Sequence, residues 1–219
     1  MTMDAKPIGY IRCALGGKFG APRQSGLVPE LKGEIHFTDG FRRSEALRGL
    51  EDFEYIWLLW EFSENRDCQF HATVRPPRLG GNARLGVFAT RSPYRPNAIG
   101  LSSVRLEGVD FEKCVLHISG ADLVDGTPIL DIKPYIPYTD AHPDARAGFT
   151  EDSPWHGINV IFQDEKKNGF TPEEVEAIVK LISLDPRPRY QKDTDRIYAM
   201  TFAGRDIRFR VEEDTAYIL

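Results

Sequence analysis

The run Phe53-Glu54-Tyr55-Ile56-Trp57-Leu58-Leu59-Trp60-Glu61-Phe62 decides how this chain folds. A continuous apolar run fits either a strand or a buried helix, because periodicity cannot separate the two. Here the residues are biased towards aromatic and β-branched types, which suit a pleated surface, so the run predicts a strand. Apolar residues occupy both parities, and burial on both faces is therefore expected.

The segments around it agree. Residues 8–13 and 33–37 are short, β-prone and bounded by Gly, Pro or Asp. After Leu85-Gly86-Val87-Phe88 come three more candidate strands, at 101–106, 114–118 and 129–132. Strands spaced this closely, with no long helix between them, predict a mainly β protein whose antiparallel sheet curls into a barrel. Residues 139–153 turn to Asp, Ala, His, Pro and Gly and read as a loop.

Beyond that loop one helix is well marked. Thr171 can N-cap it, Pro172 suits its first position and Glu174 completes a capping box. Val175, Ile178, Val179 and Ile182 then share a face, and Asp185-Pro186 ends the run. Two strands follow, at 197–202 and 207–211, joined through Ala203-Gly204-Arg205-Asp206. The expected organisation is a barrel domain over 1–145 and a small α+β C-terminal domain over 146–219, its own elements starting near Asn159.

Charge is unevenly distributed. From Gln69 to Leu106 there are six arginines (Arg75, Arg78, Arg84, Arg91, Arg95 and Arg105) and no Asp or Glu, although the whole chain carries −5. Such segregation predicts one basic surface that attracts phosphate. Pro and Gly punctuate the window, as in Arg75-Pro76-Pro77-Arg78 and Arg91-Ser92-Pro93-Tyr94-Arg95-Pro96-Asn97, so its arginines sit on stiff loops. A solvated loop face is the competing reading of charge alone.

Several classes are disfavoured. The longest apolar run is too short to span a membrane, and the first residues lack the apolar core of a signal peptide. Cys13, Cys68 and Cys114 are scattered and odd in number, which fits reduced thiols in the cytoplasm. The five histidines show no paired spacing, so no metal is expected. Gly80-Gly81-Asn82-Ala83-Arg84-Leu85-Gly86 lacks the helix of a dinucleotide fingerprint, and no Gly-x-Ser-x-Gly elbow occurs.

Four polar segments stand out: residues 21–27, 60–63, 89–100 and 122–135. In the last, Asp125-Gly126-Thr127-Pro128 is a turn flanked by two further carboxylates, Asp122 and Asp131. Together these segments resemble the TrmO, or TsaA-like, family of tRNA-adenosine N6-methyltransferases. The resemblance runs densely from Ile8 to Tyr138. It rests on Pro22-Arg23-Gln24, on residues 73–81 and 86–92, on Arg95-Pro96-Asn97, on 122–135 and, in the appendage, on 185–190.

That resemblance implies methyl transfer from S-adenosyl-L-methionine on a β-barrel. Its target would be the adenosine 3′ of the anticodon, already carrying a threonylcarbamoyl group, and the enzyme would be a homodimer. Carried over by position, the cofactor would touch Arg23, Gln24, Phe62, Ser63, Arg91, Leu101, Asp125, Gly126, Thr127 and Pro128. Two positions depart from the family, which commonly has histidine where Ser63 stands and proline where Ala98 stands.

The chemistry suggests roles. Arg23 or Arg91 could hold the cofactor's carboxylate in a bidentate fashion. Phe62 offers an aromatic face, and the Asp125 turn offers backbone groups and a charge. Transfer needs the acceptor nitrogen in line with the methyl–sulfur bond, so positioning dominates. A carbamoylated adenine nitrogen is a poor nucleophile and must lose its proton, for which Asp125 and Asp131 are the candidate bases, with Asn97 orienting the base edge. The tRNA track is assigned to Arg75, Arg78, Arg84 and Arg95, to Lys133 and Tyr135, and to Arg187, Arg189 and Lys192 of the appendage. Two rival readings are a non-catalytic RNA-binding barrel and a hydrolase that grips an anionic substrate.

Overall fold

The expected strand at 53–62 is present, and it runs through a closed barrel. The computed structural model describes residues 5–65, 69–80, 83–152, 156–187 and 193–219. Among these, the order is β1 (Gly9–Cys13), β2 (Lys32–Phe37), β3 (Tyr55–Glu61), β4 (Thr73–Val74), β5 (Leu85–Gly86), β6 (Ile99–Asp110), β7 (Val115–Ser119) and β8 (Pro128–Pro134). The chain continues through the four-residue helix α1 (Pro137–Asp140), β9 (Asn159–Ile161), α2 (Pro172–Ser183), β10 (Ile197–Phe202), β11 (Arg205–Glu212) and β12 (Thr215–Ile218).

The barrel order is β1-β2-β7-β6-β3-β8, and every pairing in it is antiparallel. Closure removes the open edges that would otherwise invite another strand. Ile11, Ile35, Ile56, Leu58, Leu116, Ile118 and Ile129 fill the interior. In β3 only Ile56, Leu58 and Trp60 are buried, and the alternate residues are half-covered or exposed. Burial on both faces was the wrong expectation. A small barrel has one interior, and the outward aromatics are shielded only in part: Trp57 lies 5.4 Å from the Tyr135 ring and donates its indole N–H to Asp140 at 2.8 Å.

A bulge interrupts β8. Leu59 faces Asp131 but Trp60 faces Ile129, which leaves Leu130 as the extra residue. Ile129 and Ile132 therefore both pack on the interior cluster, while Asp131 lies outside.

The C-terminal sheet has the order β10-β11-β12-β9, with β12 and β9 parallel. The capping box at Thr171 and Glu174 forms as expected. The buried stripe of α2 is Ala177, Ile178, Leu181 and Ile182, with Val175 and Val179 only half-covered. This second core also takes in Leu15, Val28 and Leu31, from the segment joining β1 to β2. Leu15 bridges to Phe202, the Gly16 amide donates to Thr201, and Phe19 stacks against both Tyr198 and Phe209. Gly20, at φ +92°, lies so close to Met200 that a Cβ would fall 2.7 Å from its sulfur. The joining segment is thus moulded on β10.

This shared core generates a prediction. Leu15→Ala should destabilise the protein by about 2–5 kcal/mol, the usual range for a buried leucine. Far-UV circular dichroism and tryptophan fluorescence should then fall in one coincident denaturant transition; two separated transitions would show that the sheets unfold independently.

Candidate functional site

The moulded segment presents Arg23 and Gln24 at one end of the barrel. Three other pieces of chain meet there: the end of β3, the start of β6 and the approach to β8. The Phe62 amide donates to the Ala98 carbonyl at 2.8 Å, which sets Phe62 and Ser63 beside Asn97. Arg91 donates from Nη1 to the Gln24 side-chain oxygen. Behind them lies a buried polar chain: Trp60 Nε1 donates to Ser102 Oγ at 3.0 Å, and Ser102 donates to Asp122 Oδ1 at 2.6 Å. The Trp60 indole lies over Gly100, where a Cβ would sit 2.2 Å from the ring, and it meets the Phe62 ring edge-on at 4.3 Å.

Burial raises the Asp122 carboxyl above the ordinary aspartate range, opposed by the Ser102 hydroxyl and, more weakly, by the charge of Arg91. Asp122 is thus a poorly solvated acid facing an arginine at the barrel rim. In the sequence Asp122 stands out only as a carboxylate flanking the next turn, Trp60 only as the start of the polar segment 60–63, and Ser102 not at all. Nothing in an apolar strand distinguishes a serine that anchors a carboxylate from one that fills space.

The Asp125-Gly126-Thr127-Pro128 turn lies beside β1. Gly126 takes φ +77°, open to glycine at little cost. The amides of Asp125, Gly126 and Thr127 donate to Leu15, Ile11 and Val124, and the Thr127 hydroxyl donates to Val124 as well. These donors, expected to serve a ligand, are therefore already engaged. The side chain left is Asp125, which accepts from the Cys13 amide at 3.0 Å and from Arg12 at 3.4 Å. Nearby, burial pushes the Cys13 thiol up to about 11, so it is not a thiolate at neutral pH.

Other expected residues lie apart from this rim. Leu101 faces outward opposite Leu59 and is 54% exposed; Asp131 stands on the same outer wall and pairs with Lys133 at 3.0 Å. Lys133 and Tyr135 lie towards the opposite end of the β3–β8 ladder. Four residues of strand, roughly 13 Å, separate the Trp57 level from the rim. Arg187 does not present a free guanidinium to RNA: it grips both carboxylate oxygens of Asp185, at 2.7 and 2.9 Å. Arg189 and Lys192 lie outside the described residues. A groove of about 400 Å³ on the outer wall, between Arg12, Lys32, Glu34, Glu107 and His117, holds none of the residues expected at the cofactor.

The remaining arginines belong to an arm that leaves the rim after β3 and returns to it at β6. The ribbon β4–β5 runs through it, pairing Thr73 with Gly86 and Val74 with Leu85. Arg75 and Arg84 are exposed on it. Arg78 lies on a short turn over Pro77–Leu79. Arg95 is folded inward, donating to the carbonyls of Thr90 at 2.7 Å and Val87 at 3.4 Å.

A closed barrel whose rim carries Arg23 and Arg91 beside Asp122 and Asp125, with an arginine-bearing arm next to it, suits a barrel-type enzyme acting on RNA. Residues 10–141 match the model of the tRNA-methyltransferase O N-terminal domain, and residues 157–219 match that of the TrmO C-terminal domain. The chain belongs to the TrmO family. It is 42% identical over 222 residues to a tRNA (adenine(37)-N6)-methyltransferase of Escherichia coli K12, covering 97% of this chain and 94% of that protein. The identity is 45% over 133 residues to the mouse protein of the same name, covering 60% of this chain and 30% of that one. A crystal structure of TrmO from Pseudomonas aeruginosa superposes with a TM-score of 0.80 at 36% identity, covering 100% of this chain and 98% of that one.

The raised Asp122 carboxyl makes stability depend on pH with a definite sign. The folded protein holds this proton more tightly than the unfolded chain. The associated stability is therefore full below 3.8, the ordinary value, and is lost as pH rises through the raised value. Asp122→Asn has no such titration, so its stability relative to the parent should increase from acid to neutral pH. Urea unfolding of both proteins across that interval checks this, and a constant difference would refute it.

Proposed function

We propose that this protein is a tRNA (adenine-N6)-methyltransferase that uses S-adenosyl-L-methionine to methylate N6-threonylcarbamoyladenosine at tRNA position 37. The observation that carries this reading is the near-complete match to a relative named tRNA (adenine(37)-N6)-methyltransferase. The rim supports it. Arg91 and Gln24 offer hydrogen-bond partners to a carboxylate, Phe62 and Trp60 offer aromatic surface, and Asp125 offers negative charge for an ammonium group. That donor set fits a zwitterionic amino acid joined to an aromatic base.

The cofactor, when bound, supplies an activated methyl group. The residues of the chain hold, orient and dehydrate. The hydrogen bond to Gln24 and the nearby charge of Asp122 bias the position of the Arg91 guanidinium, which lowers the entropy lost when a carboxylate is gripped. Asn97, two residues before β6, orients the base edge or the carbamoyl group. Asp125, on the β1 side, accepts the proton from the target nitrogen; Asp131, on the outer wall beside Leu101, takes that role only where the homodimer brings this wall to a partner's rim.

Residues 1–145 carry this chemistry, and residues 146–219 brace the loop that bears Arg23 and Gln24. The active form is a homodimer, for which the outward Leu59, Ile99 and Leu101 supply apolar surface near the rim. Such a dimer would also give Leu101 a route to a rim it does not face within its own chain. The phosphate contacts fall to Arg75, Arg78 and Arg84, and the enzyme works in the cytoplasm. A barrel that merely binds RNA explains the arm but leaves no role for the acidic residues Asp122 and Asp125 at its rim.

Isothermal titration with S-adenosyl-L-methionine, followed by methyl transfer to tRNA bearing the threonylcarbamoyl group, tests the reading. Arg91→Ala should weaken cofactor binding by about 1.5–3 kcal/mol, the range for a hydrogen bond to a charged group. Unchanged affinity would remove Arg91 from the site. In single-turnover transfer at saturating tRNA and cofactor, Asp125→Asn or Asp131→Asn should slow the reaction without weakening tRNA binding. Near-parental rates in both would exclude either carboxylate as the base.

A further inference from the structure

Phe88 is 72% exposed, although the turn that carries it is firmly held. Its neighbour Val87 is buried, and the Val87 amide donates to Ala72 at 3.0 Å. Both the amide and the hydroxyl of Thr90 donate to the Val87 carbonyl, at 3.1 and 2.8 Å. Arg95 fastens the same turn from below, and its guanidinium carbon lies 5.8 Å from the centre of the Phe88 ring. A lone exposed apolar side chain needs no explanation on a loose loop. Here, however, a braced turn displays an aromatic ring, an arginine lies over that ring, and the surrounding sequence from Gln69 to Leu106 contains no acid.

We propose that Phe88 is a stacking platform for an unpaired base of the anticodon loop, next to the adenosine being methylated. The inference rests on the tRNA reading above and adds the contact that sets the register of the RNA. Aromatic faces amid positive charge are how proteins hold unpaired bases, and every base has a face to offer. Arg91 reaches the rim only three residues after Phe88, so chain length limits their separation to about 11 Å. A base stacked on Phe88 therefore leaves a neighbouring nucleotide within reach of the rim. Arg95, assigned to phosphate from the sequence, acts instead by holding the platform.

The test uses the full-length protein, tRNA carrying the threonylcarbamoyl group, and Phe88→Ala and Phe88→Trp variants. Phe88→Ala should weaken tRNA binding by about tenfold or more, in line with the loss of one stacked base. It should leave the affinity for S-adenosyl-L-methionine and the slope of log affinity against log salt unchanged, because no phosphate contact is lost. Phe88→Trp should restore binding. Arg84→Ala, by contrast, should flatten that slope. Parental tRNA affinity in Phe88→Ala overturns the proposal. So does a loss accompanied by a shift in sedimentation from dimer to monomer, which would make Phe88 a contact between copies of the chain. A parental protein that binds no tRNA overturns the functional reading as well, so the two failures are distinguishable.

Discussion

The packing of the segment between β1 and β2 against the C-terminal sheet is the constraint on which the site depends. That segment is rich in glycine and carries no regular structure of its own, so left alone it would sample many conformations. Leu15, Val28 and Leu31 tie it into a core whose other members come from β10, β11, β12 and α2, with Ile158 just before β9. Phe19 and Gly20 fit against Tyr198 and Met200, which fixes the path of the next few residues. Arg23 and Gln24 emerge from this anchored stretch. A lysine on α2 strengthens the attachment by pairing Lys180 with Glu30. The appendage thus holds in place the segment from which Arg23 and Gln24 emerge.

The rim itself follows from barrel geometry. β3 ends, and β6 and β8 begin, at the same end of one ladder, which brings residues distant in sequence within hydrogen-bond range. Asp122 and Arg91 are thirty-one positions apart in the chain, yet the exposed Arg91 lies near enough for its charge to act on the poorly solvated Asp122 carboxyl. An acid so placed is costly unless it is hydrogen-bonded, and Ser102 and Trp60 supply that bonding in relay.

Much of the fold was legible because local and global preferences agree. Side-chain type correctly favoured a strand at β3, and Thr171, Pro172 and Glu174 marked the start of α2. The strands β9 and β12 were missed, being three and four residues long, and β9 pairs only with β12, in parallel across a wide gap in sequence. Leu15, Val28 and Leu31 were invisible as core residues because they are isolated among glycines and prolines, without a period to reveal a face. The site was less legible than the fold. Motif resemblance could name Arg91 and Gln24, but only the tertiary arrangement shows that they touch, that Arg95 and Arg187 are occupied within the protein, and that Leu101 faces the other way. Formal charge counted from a sequence therefore overstates the charge available to a polyanion.

The extra residue in β8 has a consequence for how side-chain alternation should be read. Strict alternation from Ile129 would turn Asp131 inward, among Ile56, Leu58 and Leu116, where an unpaired carboxylate costs several kcal/mol. The bulge at Leu130 resets the phase of the strand, so that an ionisable residue reaches the outside while isoleucines two places before and one place after remain inside. One strand thereby serves as both lining and surface. Substitutions here obey different rules on the two sides of a single residue, and any insertion or deletion that erased the phase reset would set the chemistry of the outer wall against the stability of the interior.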